Sequence, residues 1–164
     1  MAFGPSARFP NIFLARDVMN SIPPSVGEVF TSPSKTLTDA HFLFFAGLTG
    51  DNHPIHYDVE YASKMRFGKP IAHGLLLASM TALGASPANS RIDGFVFIEQ
   101  GCRFLQPVLI GDTITPSLTI EKRWQEGRRH FVRLTTKLTN QHGAKVLEGF
   151  QVYQVLETGD NSSS

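Results

Sequence analysis

The chain has 164 residues, of which 41% are hydrophobic and 18% are charged, and its formal net charge is +1. This length and composition predict one soluble domain with a packed core and argue against intrinsic disorder. Basic residues are dispersed, so we expect no nucleic-acid partner. The single cysteine, Cys102, cannot form an internal disulfide and is typical of a small buried hydrophobe in a reducing compartment.

The ends of the chain differ from its centre. Residues 1–24 contain four prolines and predict an irregular arm, residues 25–156 predict the single domain, and the small polar residues 157–164 predict a flexible tail. The amino terminus lacks the apolar segment and cleavage site of a signal peptide, and no apolar stretch approaches the roughly 20 residues of a membrane span. We therefore expect a cytoplasmic protein with no membrane partner.

The first half of the domain predicts one strand and then helices. Alternation from Val26 to Phe30 indicates a first strand. Thr38 is a good helix N-cap for the run DAHFLFFAGL, which we expect Gly47 and Gly50 to end. Asp58 caps a second short helix, VEYASKM. The run AHGLLLASMTALGA then predicts a helix that is apolar on nearly every side, which belongs at the centre of a fold.

From Gly94 onward the residue pattern is that of strands. Four runs rich in β-branched and aromatic residues are separated by turn signals: FVFIEQGCRFLQPVL, DTITPSLTIEKRWQE, RHFVRLTTKLTNQ and AKVLEGFQVYQVL. Strands joined by short turns favour an antiparallel meander. The apolar helix can be buried only if this sheet curls around it, so the sequence predicts an α+β fold.

The loop TGDNHPIH, residues 49–56, concentrates side chains that can act as acids, bases or metal ligands. Pro54 lacks a backbone N–H and restricts the residue before it, so these groups belong to a loop and not to a solvated helix face. Across this loop Asp51 and His56 can both face one water molecule and divide the work of moving a proton. The alternative is that both residues only stabilise the loop.

The same loop contains a metal-ligand pattern. Asp51, His53 and His56 offer the carboxylate and imidazole groups that zinc binds. Pro54, however, removes the helical geometry that brings closely spaced histidines together, and no further ligand is evident downstream. We therefore expect no metal at this site.

The loop and the segments after it resemble the MaoC-like, or hydratase 2, branch of the hotdog-fold proteins. The motifs that carry the resemblance are FAGLTGDNHPIHYDVEYAS from Phe45, FGKPIAHGLLLASM from Phe67 and, less specifically, CRFLQPVLIGDTI from Cys102. They cover most of residues 36–115 in the family's order. The resemblance implies an antiparallel sheet wrapped around a helix, no cofactor, and a homodimer or a dimer of dimers with its sites near the interface.

The resemblance also implies a reaction, the reversible addition of water to a trans-2-enoyl-CoA to give an (R)-3-hydroxyacyl-CoA. By position, the family's catalytic pair falls on Asp51 and His56. The Gly74 amide falls where the family holds the thioester carbonyl oxygen, and an N–H at a helix N-terminus suits the charge that develops there. The further residues expected at the substrate are Asn52, His53, Tyr61, Phe67 and His73. For Tyr61 and Phe67 the alternative is core packing, and for His73 it is helix capping or packing.

One position departs from the family's pattern, which is Asp-x-Asn-Pro-x-His. In this chain His53 precedes Pro54, and the asparagine lies one place earlier, at Asn52. In the common pattern that asparagine helps to order the catalytic water or acid. Either His53 or Asn52 can fill this role here, so substrate choice or rate can differ from the family's.

Two other functions remain open. One alternative is a hotdog thioesterase, which releases free CoA thiol. The other is a non-catalytic hotdog subunit that binds acyl groups or completes a heterodimer. Several basic side chains are candidates to bind the phosphates of coenzyme A: Arg66, Lys69, Arg103, Lys122, Arg123, Arg128 and Arg129.

Overall fold

A computed structural model describes residues 24–91 and 94–156. The expected arm (apart from Pro24) and the expected tail lie outside the described residues, and both stay predictions. Within the described part, six strands form one antiparallel sheet: β1 (Val29–Thr31), β2 (Lys35–Thr36), β3 (Phe95–Phe104), β4 (Thr113–Glu126), β5 (Arg129–Asn140) and β6 (Lys145–Val155). Three α-helices lie between β2 and β3, together with short 3₁₀ turns: α1 (Asp39–Thr49), α2 (Val59–Ser63) and α3 (Gly74–Ser79).

The strand order is β1-β4-β5-β6-β3, with β2 also paired to β4. The last three strands form the predicted meander. The prediction that β3 belongs to it is wrong, because β3 pairs with β6 at the far edge, where Gly101 lies opposite Phe150. β3 and β4 are not neighbours because no tight turn joins them. The link between them, residues 105–112, runs past the start of α3 before β4 begins. There Ala72 N–H donates to Val108 O at 2.8 Å.

Helix α1 begins where the sequence predicts. Thr38 is its N-cap, and a capping box links Thr38 to His41, whose Nδ1 accepts the Thr38 N–H at 3.1 Å. Gly50 ends the helix in the left-handed conformation with φ 78°, which glycine adopts without steric strain. Gly47 lies inside the helix and does not end it. Phe42 and Ala46 form the buried face.

Helix α3 is shorter than the apolar run predicts. It ends at Ser79. Beyond it the Thr81 and Ala82 N–H groups bond three residues back, and the Thr81 hydroxyl also donates to Ala78 O at 2.7 Å. Its buried residues pack with Phe42 and the inner face of the sheet, forming a core cluster that includes Leu76, Leu77, Ala78, Leu138, Val146 and Leu147. Leu75 is the exception to the predicted burial, being 70% exposed. No helix in the described residues is long and apolar enough to cross a membrane.

Strand β3 forms an edge of the sheet. Among the described residues it pairs only with β6, and several of its large apolar side chains are exposed: Val96, Phe97, Ile98 and Phe104. An edge strand of this length is a template for pairing with another strand. Cys102 lies on this strand, half-buried against the core cluster as a small hydrophobe, and burial raises the pKa of its thiol.

Candidate active site

The loop between α1 and α2 is ordered by short-range hydrogen bonds. Thr49 Oγ1 donates to Phe45 O at 2.7 Å and accepts the Asp51 N–H at 3.3 Å, which turns the chain after the helix. His53 then caps the 3₁₀ turn Pro54–His56 by accepting the Ile55 N–H on Nδ1 at 3.3 Å. Proline suits the first position of such a turn, where no N–H donor is needed. The prediction that this segment is not an α-helix is confirmed.

His56 lies at the end of this turn and faces the segment before α3. Its Nδ1 is 2.7 Å from the Ile71 carbonyl oxygen. A carbonyl can only accept, so Nδ1 carries the hydrogen and Nε2 of the neutral ring is left as an acceptor. His56 is thus held in the tautomer that can take a proton from water.

His73 lies directly against His56. Its side chain is 1% exposed, and the two rings are stacked with centroids 3.7 Å apart and planes 22° from parallel. His73 Nε2 donates to the backbone oxygen of Asp51 at 3.1 Å. Burial lowers the pKa of His73, as does the neighbouring His56, while the bond to Asp51 acts in the opposite direction. The ring is therefore held neutral, and its Nδ1 has no hydrogen-bond partner among the described residues.

The Asp51 carboxylate completes a three-residue cluster. A carboxylate oxygen of Asp51 and one ring nitrogen each of His56 and His73 all lie within 4.8 Å of one another. The structure therefore brings the two predicted acid/base residues together, and it adds His73 to them.

These three residues also offer the ligand types that zinc binds, and His73 is the downstream histidine that the sequence pattern does not identify. The ring geometry is poorly suited to coordination. Stacked rings direct their lone pairs along nearly parallel planes, whereas metal ligands must converge on one point. The arrangement suits proton transfer better than metal binding.

Gly74 follows His73 as the first residue of α3. The N–H of a first helical residue has no acceptor within its helix, and this one has none elsewhere in residues 24–91 or 94–156. The helix has only six residues, so the N–H itself matters more than the helix dipole. Phe104 of β3 covers this position: a Cβ built on Gly74 would lie 3.1 Å from its ring.

The remaining predicted site residues differ in what their side chains contact. His53 has its ring 6.4 Å from that of His56 and 5.7 Å from that of Tyr61, edge to face in both pairs. Asn52 bonds within its own loop, with Nδ2 donating to Gly50 O at 3.3 Å. Phe67 is half-buried under the guanidinium of Arg66, 4.5 Å from its ring centre. His53, and not Asn52, is therefore the residue beside His56.

Two residues at the site have no signal in the sequence. Ile71 acts through its backbone carbonyl, which any residue carries. Phe104 belongs to a strand whose place in the sheet the pattern of residues does not reveal.

Comparison with known proteins identifies the family. The model of the MaoC like domain matches residues 22–142. This chain belongs to the MaoC-like family. It is 33% identical over 130 residues to an (R)-specific enoyl-CoA hydratase of Rhodospirillum rubrum, covering 78% of this chain and 86% of the relative. It is 30% identical over 122 residues to an (R)-specific enoyl-CoA hydratase of Aeromonas caviae, covering 74% and 89%.

Solved structures agree with this assignment. The structure of the (R)-hydratase from Aeromonas caviae involved in PHA biosynthesis matches with a TM-score of 0.72 at 30% identity, covering 81% of this chain and 98% of the other. The predicted family and the predicted α+β hotdog fold, an antiparallel sheet around a helix, are both confirmed.

Proposed function

We propose that this MaoC-like protein is a hydro-lyase that adds water reversibly to a trans-2-enoyl-CoA to give an (R)-3-hydroxyacyl-CoA. The observation that carries the proposal is the convergence of the Asp51 carboxylate and the His56 imidazole within 4.8 Å. His56 has its Nε2 left as an acceptor because Nδ1 donates to Ile71 O. The relatives named (R)-specific enoyl-CoA hydratase support the same reaction.

Hydration requires a new C–O bond at C3 and a new C–H bond at C2, and one water molecule supplies both groups. In our proposal Asp51 and His56 hold this water, its oxygen adds to C3, and the pair relays its proton to C2. Negative charge that develops on the thioester oxygen is stabilised by the Gly74 N–H. Dehydration is the reverse, with the proton leaving C2 and the hydroxyl leaving C3 as water.

Other residues are proposed to contact the substrate. His53 lies beside His56, and Tyr61 lies against His53, so these two are the best placed. Asn52 and Phe67 are further candidates. Arg66 and Lys69 are exposed on the segment that leads to Gly74, and we favour them to bind the phosphates of coenzyme A.

We also propose that the protein is a homodimer formed through β3. The support is the edge of this strand, which no other strand of residues 24–91 and 94–156 covers, together with its exposed Phe97 and Ile98. Phe104 belongs to the same strand and covers Gly74, so the site lies close to this edge. Light scattering should give twice the mass of the chain, and a monomeric mass for the active protein would exclude the dimer.

The reaction is tested with crotonyl-CoA, whose hydration removes the absorbance of the conjugated thioester. We expect Asp51→Asn and His56→Ala each to lower the rate by about 100-fold or more, because general acid–base groups contribute that much, while circular dichroism stays unchanged. Near-normal rates in both variants would exclude the assigned pair. A thiol-reactive dye run in parallel detects free CoA, and its release without hydration would identify a thioesterase. Binding of acyl-CoA without turnover would identify a non-catalytic subunit.

A further inference from the structure

The tip of the catalytic loop has little to hold it in place. Asp51, Asn52 and His53 are exposed, and nearly all their hydrogen bonds in the described chain join residues at most three apart. The exception is the Asp51 carbonyl, which accepts the Nε2–H of His73, 22 residues away. Among the described residues, this bond is therefore the one that ties Asp51 to a distant part of the chain.

His56 is held by the same short segment, residues 71–73. Ile71 O accepts its Nδ1–H, and the His73 ring lies flat against its ring. The segment itself is fixed on both sides, since Ile71 N–H donates to Ile55 O at 3.2 Å and Ala72 N–H to Val108 O at 2.8 Å. His73 thus contacts both proposed catalytic residues from a rigid part of the chain.

His73 cannot easily act as an acid or base itself. Its side chain is 1% exposed, its ring packs against the rings of Phe42 and Phe45, and burial lowers its pKa. A neutral His73 adds no second positive charge beside His56 when His56 takes up a proton. These properties suit a supporting role better than the substrate contact expected from the sequence.

We propose that His73 is a positioning residue, which holds Asp51 through its Nε2–H and orients the His56 ring by stacking, so that both groups reach the same water. This inference rests on the proposed hydratase function. A displacement of about 1 Å between reacting groups can reduce a rate by about 100-fold, so one buried bond to the loop is enough to affect turnover.

Two substitutions separate the two features of His73. His73→Phe keeps a flat ring among aromatic neighbours and removes the donor. His73→Gln removes the ring and keeps an N–H near the position of Nε2. We expect His73→Phe to lower kcat by about 10- to 100-fold with little change in KM, because Asp51 is displaced while the substrate pocket is kept. We expect His73→Gln to have a kcat several-fold above that of His73→Phe.

The control is Leu118→Val, which trims a fully buried side chain of β4 outside the core cluster around α3 and leaves His73 and its aromatic neighbours unchanged. It should lower stability and leave kcat within about two-fold of the wild type, since a merely structural disturbance does not move Asp51. Wild-type kcat in His73→Phe overturns the proposal, and so does a His73→Gln variant no faster than His73→Phe.

A measurement on the unmodified protein covers the case in which the variants do not fold. In protein labelled with ¹⁵N-histidine, we expect NMR to find His73 neutral, with its hydrogen on Nε2, from about pH 7 to about pH 8, because burial lowers its pKa from the ordinary value. A hydrogen on Nδ1, or a charged His73 in this range, overturns the proposal. If the wild type hydrates no enoyl-CoA, the proposed function fails, and NMR still determines whether His73 holds the loop. If the wild type is active and His73→Phe equals it, only the positioning role fails.

Discussion

The substitution Gly74→Ala tests whether the first N–H of α3 contacts the thioester. The added methyl would lie 3.1 Å and 3.3 Å from two ring atoms of Phe104, so the ring must move by a few tenths of an ångström. Phe104 is half exposed and can do so. Alanine is favoured over glycine in a helix by roughly 0.5–1 kcal/mol, which offsets the crowding. The free energy of unfolding should therefore stay within about 1 kcal/mol of the wild type.

Activity should respond differently from stability. We expect the methyl and the displaced ring to crowd the Gly74 N–H, because the Cβ and the N–H of a first-turn residue both face the start of the helix. A shift of the thioester by about 1 Å is expected to lower kcat/KM for crotonyl-CoA by about 100-fold. Urea unfolding gives the stability, and loss of the thioester absorbance gives the rate.

A second variant identifies the cause of the loss. In Gly74→Ala with Phe104→Leu the ring is removed, so the crowding is relieved while the methyl remains beside the amide. We expect this double variant to stay slow. Wild-type kcat/KM in Gly74→Ala would refute the reasoning, because a carbonyl bound at that amide could not tolerate the methyl.

Two further predictions concern stability. Gln151 is buried, donates to Thr81 Oγ1 at 2.7 Å and accepts the Tyr153 hydroxyl at 3.0 Å. Gln151→Leu leaves the Tyr153 hydroxyl without this acceptor, so it should lower the free energy of unfolding by about 1–3 kcal/mol. The kcat per folded molecule should stay unchanged. Unaltered urea unfolding would contradict the bond. The lowered pKa of His73 means that the unfolded chain binds a proton that the folded chain does not. The free energy of unfolding should accordingly fall as the pH drops below about 6.5. His73→Phe should remove part of that pH dependence. An identical pH dependence in the variant would show that His73 is not the group responsible.

Much of the fold and part of the site follow from local residue patterns. Thr38 and Asp58 are found as N-caps where the sequence predicts them, because capping depends on side chains and amides only a few residues apart. Pro54 excludes an α-helix for the same local reason, and the structure brings Asp51 and His56 together as expected. Their roles in catalysis stay predictions.

The features that the sequence does not predict depend on distant partners. A run of β-branched and aromatic residues identifies β3 as a strand, but it does not specify β6 as its neighbour. Hydrophobicity predicts that the α3 segment is buried, but not that the helix ends before Thr81. His73 is expected at the substrate, yet its buried stack on His56 follows from the course of residues 71–73 through the fold.

All the groups assigned to chemistry depend on four consecutive residues, 71–74. Ile71 supplies the carbonyl that holds the His56 ring, His73 supplies the second ring, and Gly74 supplies an N–H that has no acceptor in the described part of the chain. Ala72 joins this stretch to the link between β3 and β4. An inserted or deleted residue here would break every one of these contacts at once. In directed evolution toward new acyl groups, libraries should therefore leave this tetrapeptide fixed and vary its surroundings.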